Sequence, residues 1–405
     1  MTPAARLQMA IEILEGLDAT AQPTDRFLKA WFRTRRFAGS KDRRAIAEQV
    51  FSVQRRRARL AHAIGSTAPR ALVMASLPPQ EVDALFTGGY GPAPLTDAER
   101  AMLAAAPRAE PRWVAGEYPQ WLDAELRRAF GERVLPEMTA FIDRAPTDIR
   151  VNTLKATRDA VHSALAADGI TSAPMLHAAD GLRISGDATN LTKSALFETG
   201  AFEFQDEAAQ IAADLAGAQP GMRVLDLAAG AGGKSLAFAA ALQNKGEIVA
   251  CDVRGEALVE LEARSRRAGA TIITTRLLPH NPPSGAFDLV FVDAPCSGTG
   301  TWRRQPELRW RLTPGRLAEL TALQDQLLDQ AAALTRPGGR LVYATCSILP
   351  IENQDRVAAF RARHPHFTPL DLGEGRAIPG LGQDFRASPA TTGTDGFFAA
   401  ALQRE

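Results

Sequence analysis

Residues 289–298 read Leu289-Val290-Phe291-Val292-Asp293-Ala294-Pro295-Cys296-Ser297-Gly298, an unbroken apolar run that stops at an aspartate, a proline and a cysteine. Such a run, bounded by turn-forming residues and lacking polar alternation, predicts a strand buried on both faces, as in a parallel sheet covered by helices. The arrangement returns at Leu341-Val342-Tyr343, followed by Ala344-Thr345-Cys346-Ser347. Functional groups in open α/β sheets gather beyond the carboxyl ends of the strands, so Cys296 and Cys346 are expected to open toward one cleft. A free cysteine is commonly a small core residue. Two of only three cysteines at equivalent strand ends point instead to chemistry.

Upstream, Val224-Leu225-Asp226-Leu227 reads as a strand that runs into Ala228-Ala229-Gly230-Ala231-Gly232-Gly233-Lys234-Ser235 and then a helix beginning near Leu236. Glycines let the backbone approach a ligand closely, and a helix N-terminus favours polar or anionic groups. A further strand, Ile248-Val249-Ala250-Cys251, ends at Asp252, 20 positions after Gly232. That is the spacing at which an acidic residue receives ribose hydroxyls in nucleotide-type folds, so the pairing implies an adenosine-bearing cofactor. Cys251 reads as a core residue closing its strand.

The stretch 293–310, DAPCSGTGTWRRQPELRW, and the stretch 337–353, PGGRLVYATCSILPIEN, resemble the signature blocks of the RNA cytosine-5 methyltransferases of the bacterial Rsm and eukaryotic Sun type. The resemblance extends to Arg150-Val151-Asn152-Thr153-Leu154-Lys155, to Phe204-Gln205-Asp206-Glu207 and to Asp395-Gly396-Phe397-Phe398. It implies a Rossmann-like α/β class I methyltransferase domain that uses S-adenosyl-L-methionine. It further implies Cys346 as the nucleophile that adds to carbon 6 of the base. Cys296 would assist proton removal and product release, and Asp293 and Lys234 would contact and polarise the ring. Cofactor binding would fall to Ala228, Ala229, Gly230, Ala231, Gly232, Gly233, Lys234, Asp252 and Asp293, with no metal. The chemistry asks for such a set: carbon 5 of cytosine becomes nucleophilic only after a thiolate adds to carbon 6, and covalent catalysis divides one hard step into two.

Two departures from the family stand out. Where the family has D-x-C-A-A-P-G-G-K, residues 226–234 lack the cysteine and the proline, which is expected to loosen the loop. No carboxylate occurs between Glu262 and Asp288, where the family commonly has an aspartate near the adenine, which leaves Asn281 as the substitute. Other readings of the loop are weaker. A P-loop needs glycine six residues before the lysine, and that position is Ala228. A nicotinamide dehydrogenase would share the loop and Asp252 but leaves both cysteines unexplained. An RNA-binding assembly factor on a methyltransferase scaffold is the non-enzymatic alternative.

The chain has 405 residues, 45% of them hydrophobic, enough for two or three soluble domains. Its net charge of +1 gives no global nucleic-acid signature, yet residues 26–59 hold twelve Arg and Lys against Asp42 and Glu48, a local +10 suited to phosphate contacts. Residues 1–130 show helical spacing, and Ser40 to Val50 resembles the all-helical NusB-like domain that precedes some bacterial 16S rRNA methyltransferases. Residues 131–203 read as a small α+β subdomain, with strands at Ile149–Leu154 and Gly181–Ile184 around a helix at Arg158–Ala167. Residues 204–405 form the catalytic domain, in which Leu317, Leu320, Leu323, Leu327, Ala331 and Leu334 make a core-facing helical stripe stopped by Pro337-Gly338-Gly339. His364-Pro365-His366 reads as an exposed loop. Three cysteines without close spacing, no signal peptide and no apolar stretch near 20 residues predict a cytoplasmic protein away from membranes. A monomer acting on RNA is expected, rRNA through the NusB-like resemblance, with tRNA the alternative.

Overall fold

The four apolar runs read as strands beyond residue 203 become inner strands of one sheet. In the computed structural model, which describes residues 1–106, 108–186, 188, 190–373 and 376–405, the strands in chain order are β1 (Thr147–Val151), β2 (Ser172–Pro174), β3 (Gly181–Ile184), β4 (Phe202–Phe204), β5 (Arg223–Asp226), β6 (Glu247–Asp252), β7 (Ile273–Leu277), β8 (Phe287–Asp293), β9 (Thr335–Thr345), β10 (Phe367–Pro369), β11 (Phe385–Ala387) and β12 (Phe397–Arg404). The large sheet has the order β10-β12-β9-β8-β5-β6-β7, with β11 paired to β12. Strands β7, β6, β5, β8 and β9 run parallel, and β12 inserts antiparallel beside β9.

Side-chain alternation along the inner strands explains their unbroken apolarity. Val224, Leu289, Phe291, Val342 and Ala344 pack with Ile211, Leu215, Leu236 and Phe238 on one face. Leu225, Val290, Val292, Leu341 and Tyr343 pack with Leu327, Leu328, Ala331 and Phe360 on the other. Both faces are dry, so every position must be apolar. The helix Pro314–Leu334 buries Leu317, Leu320, Leu327 and Ala331 as the stripe predicts, but Leu323 is 37% exposed and Leu334 only packs at the margin. The helix stops at Leu334, before the Pro-Gly-Gly segment, and β9 already begins at Thr335.

Two compact units share the described residues. One comprises Met1–Arg144 with Trp302–Arg311; the other comprises Ala145–Thr301 with Leu312–Glu405. The first is helical, from Pro3–Asp18 onward, around a core of Leu7, Ile11, Leu14, Ile46, Val50 and Leu72. The 302–311 segment packs within it: buried Arg309 donates to the carbonyls of Glu117 and Phe141 at 3.2 and 2.7 Å, and Trp302 meets Phe141 edge-on. The second half of the DAPCSGTGTWRRQPELRW block is thus joined to the helical unit, whereas its first half lies at the sheet. The other unit also holds the small antiparallel sheet β2-β3-β1-β4, whose core of Ile149, Val151, Val161, Leu165, Leu182 and Phe202 includes the helix Arg158–Ala167. Strand β1 ends at Val151 rather than running to Leu154, because Asn152 O accepts from Lys155 N and Ala156 N at 2.9 and 3.1 Å in a turn, which the Asn152 side chain anchors by donating to the carbonyls of Gly200 and Ala268 at 2.9 and 2.8 Å.

Candidate active site

Three aspartates close inner strands of the large sheet: Asp226 on β5, Asp252 on β6 and Asp293 on β8. Because these strands and β9 are parallel, their carboxyl ends share one edge, and the loops after β5, β8 and β9 carry the glycines, Cys296 and Cys346 in turn. The loop between β5 and the helix Gly233–Ala241 is tied down from several sides. Ala229 N donates to Cys251 O at 2.8 Å, Gly232 N to Ala229 O at 2.9 Å and Gly230 N to Asp252 Oδ2 at 2.8 Å. Gly232 has φ of +83°, and a Cβ there would lie 2.5 Å from Leu261 Cγ, so the turn requires glycine on two grounds.

The missing proline does not leave the loop loose. Ala231, which stands in its place, has its carbonyl held by Arg264 Nη1 at 2.6 Å, and Arg264 is itself paired with Glu203 at 3.0 Å. From β1, buried Arg150 donates to Gly233 O at 2.8 Å and to the Gln205 side chain, which connects two of the upstream sequence blocks to the loop. Within the loop, Ala229 and Gly232 are buried, Ala229 against Ala250, Leu258 and Leu261, while Ala228, Gly230, Ala231 and Gly233 are partly open.

These residues fit an adenosyl cofactor. Burial would lift the Asp252 pKa, but hydrogen bonds from Arg254 and Gly230 N outweigh it and hold it below the usual range, so the carboxylate is an ionised acceptor. The Arg254 guanidinium contacts both Asp252 oxygens, at 3.1 and 3.3 Å, and its side chain is 62% exposed, so it can yield an oxygen to a ribose hydroxyl without stranding a buried charge. Asp226 is fully buried; Oδ2 accepts from Ser235 Oγ at 2.6 Å and Oδ1 has no partner among the described residues. Burial pushes its pKa up to about 7, against the Ser235 hydrogen bond and with the charges of Asp293 and Asp252 adding to the rise. An orphaned acceptor at the foot of the loop suits a ligand that brings its own donors. Asn281, beyond β7, has its Oδ1 engaged by Arg276 Nη1 at 3.0 Å.

The two cysteines meet. Cys296 Sγ and Cys346 Sγ are 3.3 Å apart, and both side chains are only partly buried. The register places Asp293 beside Ala344, and Cys296 and Cys346 lie three and two residues beyond that pair. The Cys346 hydrogen bond, burial and the charges of Cys346 and Glu352 together drive the Cys296 pKa well above its ordinary value. Lys234 Nζ lies 2.5 Å from Asp293 Oδ2 and 5.4 Å from the centre of the Phe397 ring. Burial alone would lower the lysine pKa, yet the charge and hydrogen bond of Asp293, with the charges of Cys346 and Asp226, raise it, so the ammonium persists at neutral pH. Gly300 completes the packing: a Cβ there would come within 2.8 Å of Cys346 O, and its own N–H donates to that oxygen at 2.9 Å. Cys251, by contrast, is fully buried, with its pKa pushed up to about 12 by burial.

Sequence reasoning passed over Asp226, Arg264 and Glu352. Glu352, inside the ILPIEN segment, accepts from Ser297 N at 2.8 Å, from Ser347 Oγ at 2.5 Å and from Gln324 Nε2 at 3.1 Å, and it also binds the Ser297 hydroxyl. The basic segment divides. Arg55 is half-buried over the Phe51 ring, and Arg57 is paired with Asp18 at 2.9 Å, whereas Arg26, Lys29, Arg33, Arg36 and Lys41 are exposed. Of the two histidines, His366 is exposed on a turn as read, whereas His364 is partly buried, stacking on Phe360 at 4.7 Å and sharing a hydrogen bond with Asp329 at 2.9 Å. Among the described residues, no helix is long and apolar enough to cross a membrane.

Comparison with known proteins agrees with this geometry. Residues 214–403 match the family model described as 16S rRNA methyltransferase RsmB/F, and residues 118–189 match the ferredoxin-like domain of the RsmF/B-like methyltransferases. Ribosomal RNA small subunit methyltransferase B of Sodalis glossinidius is 35% identical over 312 residues, covering 75% of this chain and 69% of that protein. A Synechocystis protein named "Probable ribosomal RNA small subunit methyltransferase B" is 34% identical over 253 residues, covering 61% of this chain and 57% of its own length. Among solved structures, that of PH0851 is similar at 26% identity and a TM-score of 0.81 over 100% of this chain and 99% of that one. A methyltransferase homolog protein from Pyrococcus horikoshii, also 26% identical, gives a TM-score of 0.63 over 73% of this chain and 98% of its own. With its parallel sheet, its strand-end aspartates and its extended likeness to the Sodalis protein, the chain belongs to the 16S rRNA methyltransferase RsmB/F family.

Proposed function

We propose that the protein transfers a methyl group from S-adenosylmethionine to carbon 5 of a cytosine in RNA, with small-subunit rRNA as the substrate, through a covalent adduct between Cys346 and carbon 6. The observation that carries this reading is the 3.3 Å approach of two thiols at the ends of adjacent parallel strands, beside an ion pair of Lys234 and Asp293. One cysteine would suffice for a core or for simple nucleophilic attack. A reaction that needs a nucleophile first and a base later accounts for two.

The steps follow from the residues. A Cys346 thiolate donates its electron pair to carbon 6, and the ring electrons move toward carbon 5, helped by the Lys234 ammonium and by Asp293 at the base. When bound, the cofactor supplies an electrophilic methyl on a sulfonium, held by Asp252 and the glycine loop. The methyl would pass to carbon 5, leaving the electrons of the donor's carbon–sulfur bond on its sulfur. Once Cys346 is bonded to carbon it no longer provides the hydrogen bond and charge that keep Cys296 protonated. Cys296 then releases its own proton to water and accepts the proton from carbon 5. The electrons of that bond restore the double bond and expel Cys346 as thiolate. The exposed cations of the helical unit serve phosphate contact.

Bisulfite mapping of total RNA from cells with and without this protein tests the reading. A cytosine in small-subunit rRNA that is protected only when the protein is present is the expected result. Protection confined to tRNA would move the substrate, and no protein-dependent protection in any RNA would favour an RNA-binding assembly factor instead.

A further inference from the structure

Each catalytic-candidate cysteine is followed by a serine, and the thiol chemistry gives neither serine a task. Ser297 and Ser347 converge on one carboxylate. Glu352 is fully buried and carries donors on both oxygens: Oε1 accepts from Ser297 N at 2.8 Å and Gln324 Nε2 at 3.1 Å, while Oε2 accepts from the hydroxyls of Ser297 and Ser347. Gln324 also donates to Pro295 O at 2.9 Å, one residue before Cys296. The far side is equally fixed. Tyr343 Oη donates to Glu352 O at 2.6 Å, and Asn353 donates to Ser347 O at 2.9 Å while accepting from Thr345 Oγ1 at 2.6 Å. The residues on either side of Cys296, and the one after Cys346, are therefore held, directly or through Gln324, by a single side chain six residues beyond Cys346.

We propose that Glu352 is a positioning residue for the methyl transfer, clamping the two cysteine loops so that the thiols stand within reach of the same base. This rests on the cytosine-5 reading above. A buried carboxylate is costly to maintain unless its donors are all in place, and here four donors from three segments supply that compensation. The titratable and charged groups around the thiols are each other, Glu352 and Tyr343 from the β9 side, Asp293 and Lys234 from β8 and the glycine-loop helix, with the Asp325–Arg356 pair near Tyr343. Of the carboxylates among them, Glu352 is the one whose charge, with that of Cys346, helps keep Cys296 protonated.

The test uses Glu352→Gln, with Ser297→Ala and Ser347→Ala as milder variants that each delete one hydroxyl should the first fail to fold. Site-resolved alkylation of Cys296 by iodoacetamide is followed against pH in the RNA-free protein, and kcat and KM for RNA are measured alongside. For Glu352→Gln the expected result is a Cys296 alkylation midpoint at lower pH and a kcat reduced about a hundredfold with KM for RNA nearly unchanged, the scale of a misplacement of about 1 Å. Each serine variant should lose about tenfold in kcat, from one weakened hydrogen bond to a charged acceptor. A folded Glu352→Gln protein with an unmoved Cys296 midpoint and near-normal kcat would overturn the proposal, as would serine variants of normal kcat if Glu352→Gln cannot be obtained folded. The wild type keeps the two questions apart: if it makes 5-methylcytosine while these variants behave normally, only the role of Glu352 falls, and if it makes none, the underlying reading falls.

Discussion

Glu203 separates structural support from cofactor support, because two arginines share it and only one reaches the glycine loop. Arg264 pairs with Glu203 at 3.0 Å and also donates to Ala231 O at 2.6 Å; Arg267 pairs with Glu203 at 2.5 Å and packs over Phe197. Glu203 has a side chain only 4% exposed, so deleting either arginine leaves a largely buried carboxylate with one partner instead of two. Hydrogen bonds to charged groups contribute about 1.5–3 kcal/mol, so Arg264→Ala and Arg267→Ala should each destabilise by about 2 kcal/mol, a fall in Tm of roughly 4–8 °C for the unit of about 250 residues that holds all three side chains. Freeing the Ala231 peptide adds an ordering cost to cofactor binding of about 1–2 kcal/mol. Arg264→Ala alone should therefore raise the Kd for S-adenosylmethionine roughly tenfold, and Arg267→Ala should leave it unchanged. Thermal unfolding without ligand and titration calorimetry with it measure the two effects. Equal Kd values in the two variants would refute the claim that Arg264 takes over the work of the missing proline.

Asp226→Asn should change the pH dependence of stability: a carboxyl raised to about 7 in the folded state contributes stability that is present below pH 4 and lost as pH rises through 7, so the variant should gain on the wild type across that window by an amount on the order of 4 kcal/mol, read from urea unfolding at pH 4 to 8. Asp252→Ala should raise the Kd for S-adenosylmethionine ten- to a hundredfold by calorimetry while RNA affinity stays nearly constant. Replacing Arg26, Lys29 and Arg33 with glutamine should flatten the log–log salt dependence of RNA binding by about 0.7–0.9 for each phosphate no longer neutralised, whereas Arg57→Gln should not, since Arg57 is already paired with Asp18.

What the sequence disclosed lies where periodicity and turn chemistry act locally. Asp252 and both cysteines are legible because each follows a short apolar run that can only be a buried strand, and the glycines mark a turn that side chains would obstruct. Arg264 is not, since its partner Ala231 is 33 residues away and nothing in a helix of mixed charge distinguishes an arginine that reaches a loop carbonyl from one in water. Glu352 escaped for the same reason: its donors Ser297 and Gln324 come from other segments, and a glutamate two residues after a proline and next to an asparagine looks like a surface turn. Counting charges along 26–59 overstated the free cationic surface, because Arg55 and Arg57 spend theirs within the helical unit. The fate of Trp302 and Arg309 was equally hidden, as only the fold reveals that a segment inside a catalytic signature block is buried among the N-terminal helices.

The division of labour between the two thiols is tested most directly by trapping. Cys296→Ala and Cys346→Ala proteins are incubated with S-adenosylmethionine and substrate RNA, then run on a denaturing gel. Addition without release predicts that Cys296→Ala accumulates an RNA-linked species that survives denaturation, while Cys346→Ala forms none and transfers no methyl group. An adduct with Cys346→Ala but not with Cys296→Ala would reverse the two roles, and substantial turnover by the double variant would contradict covalent catalysis altogether.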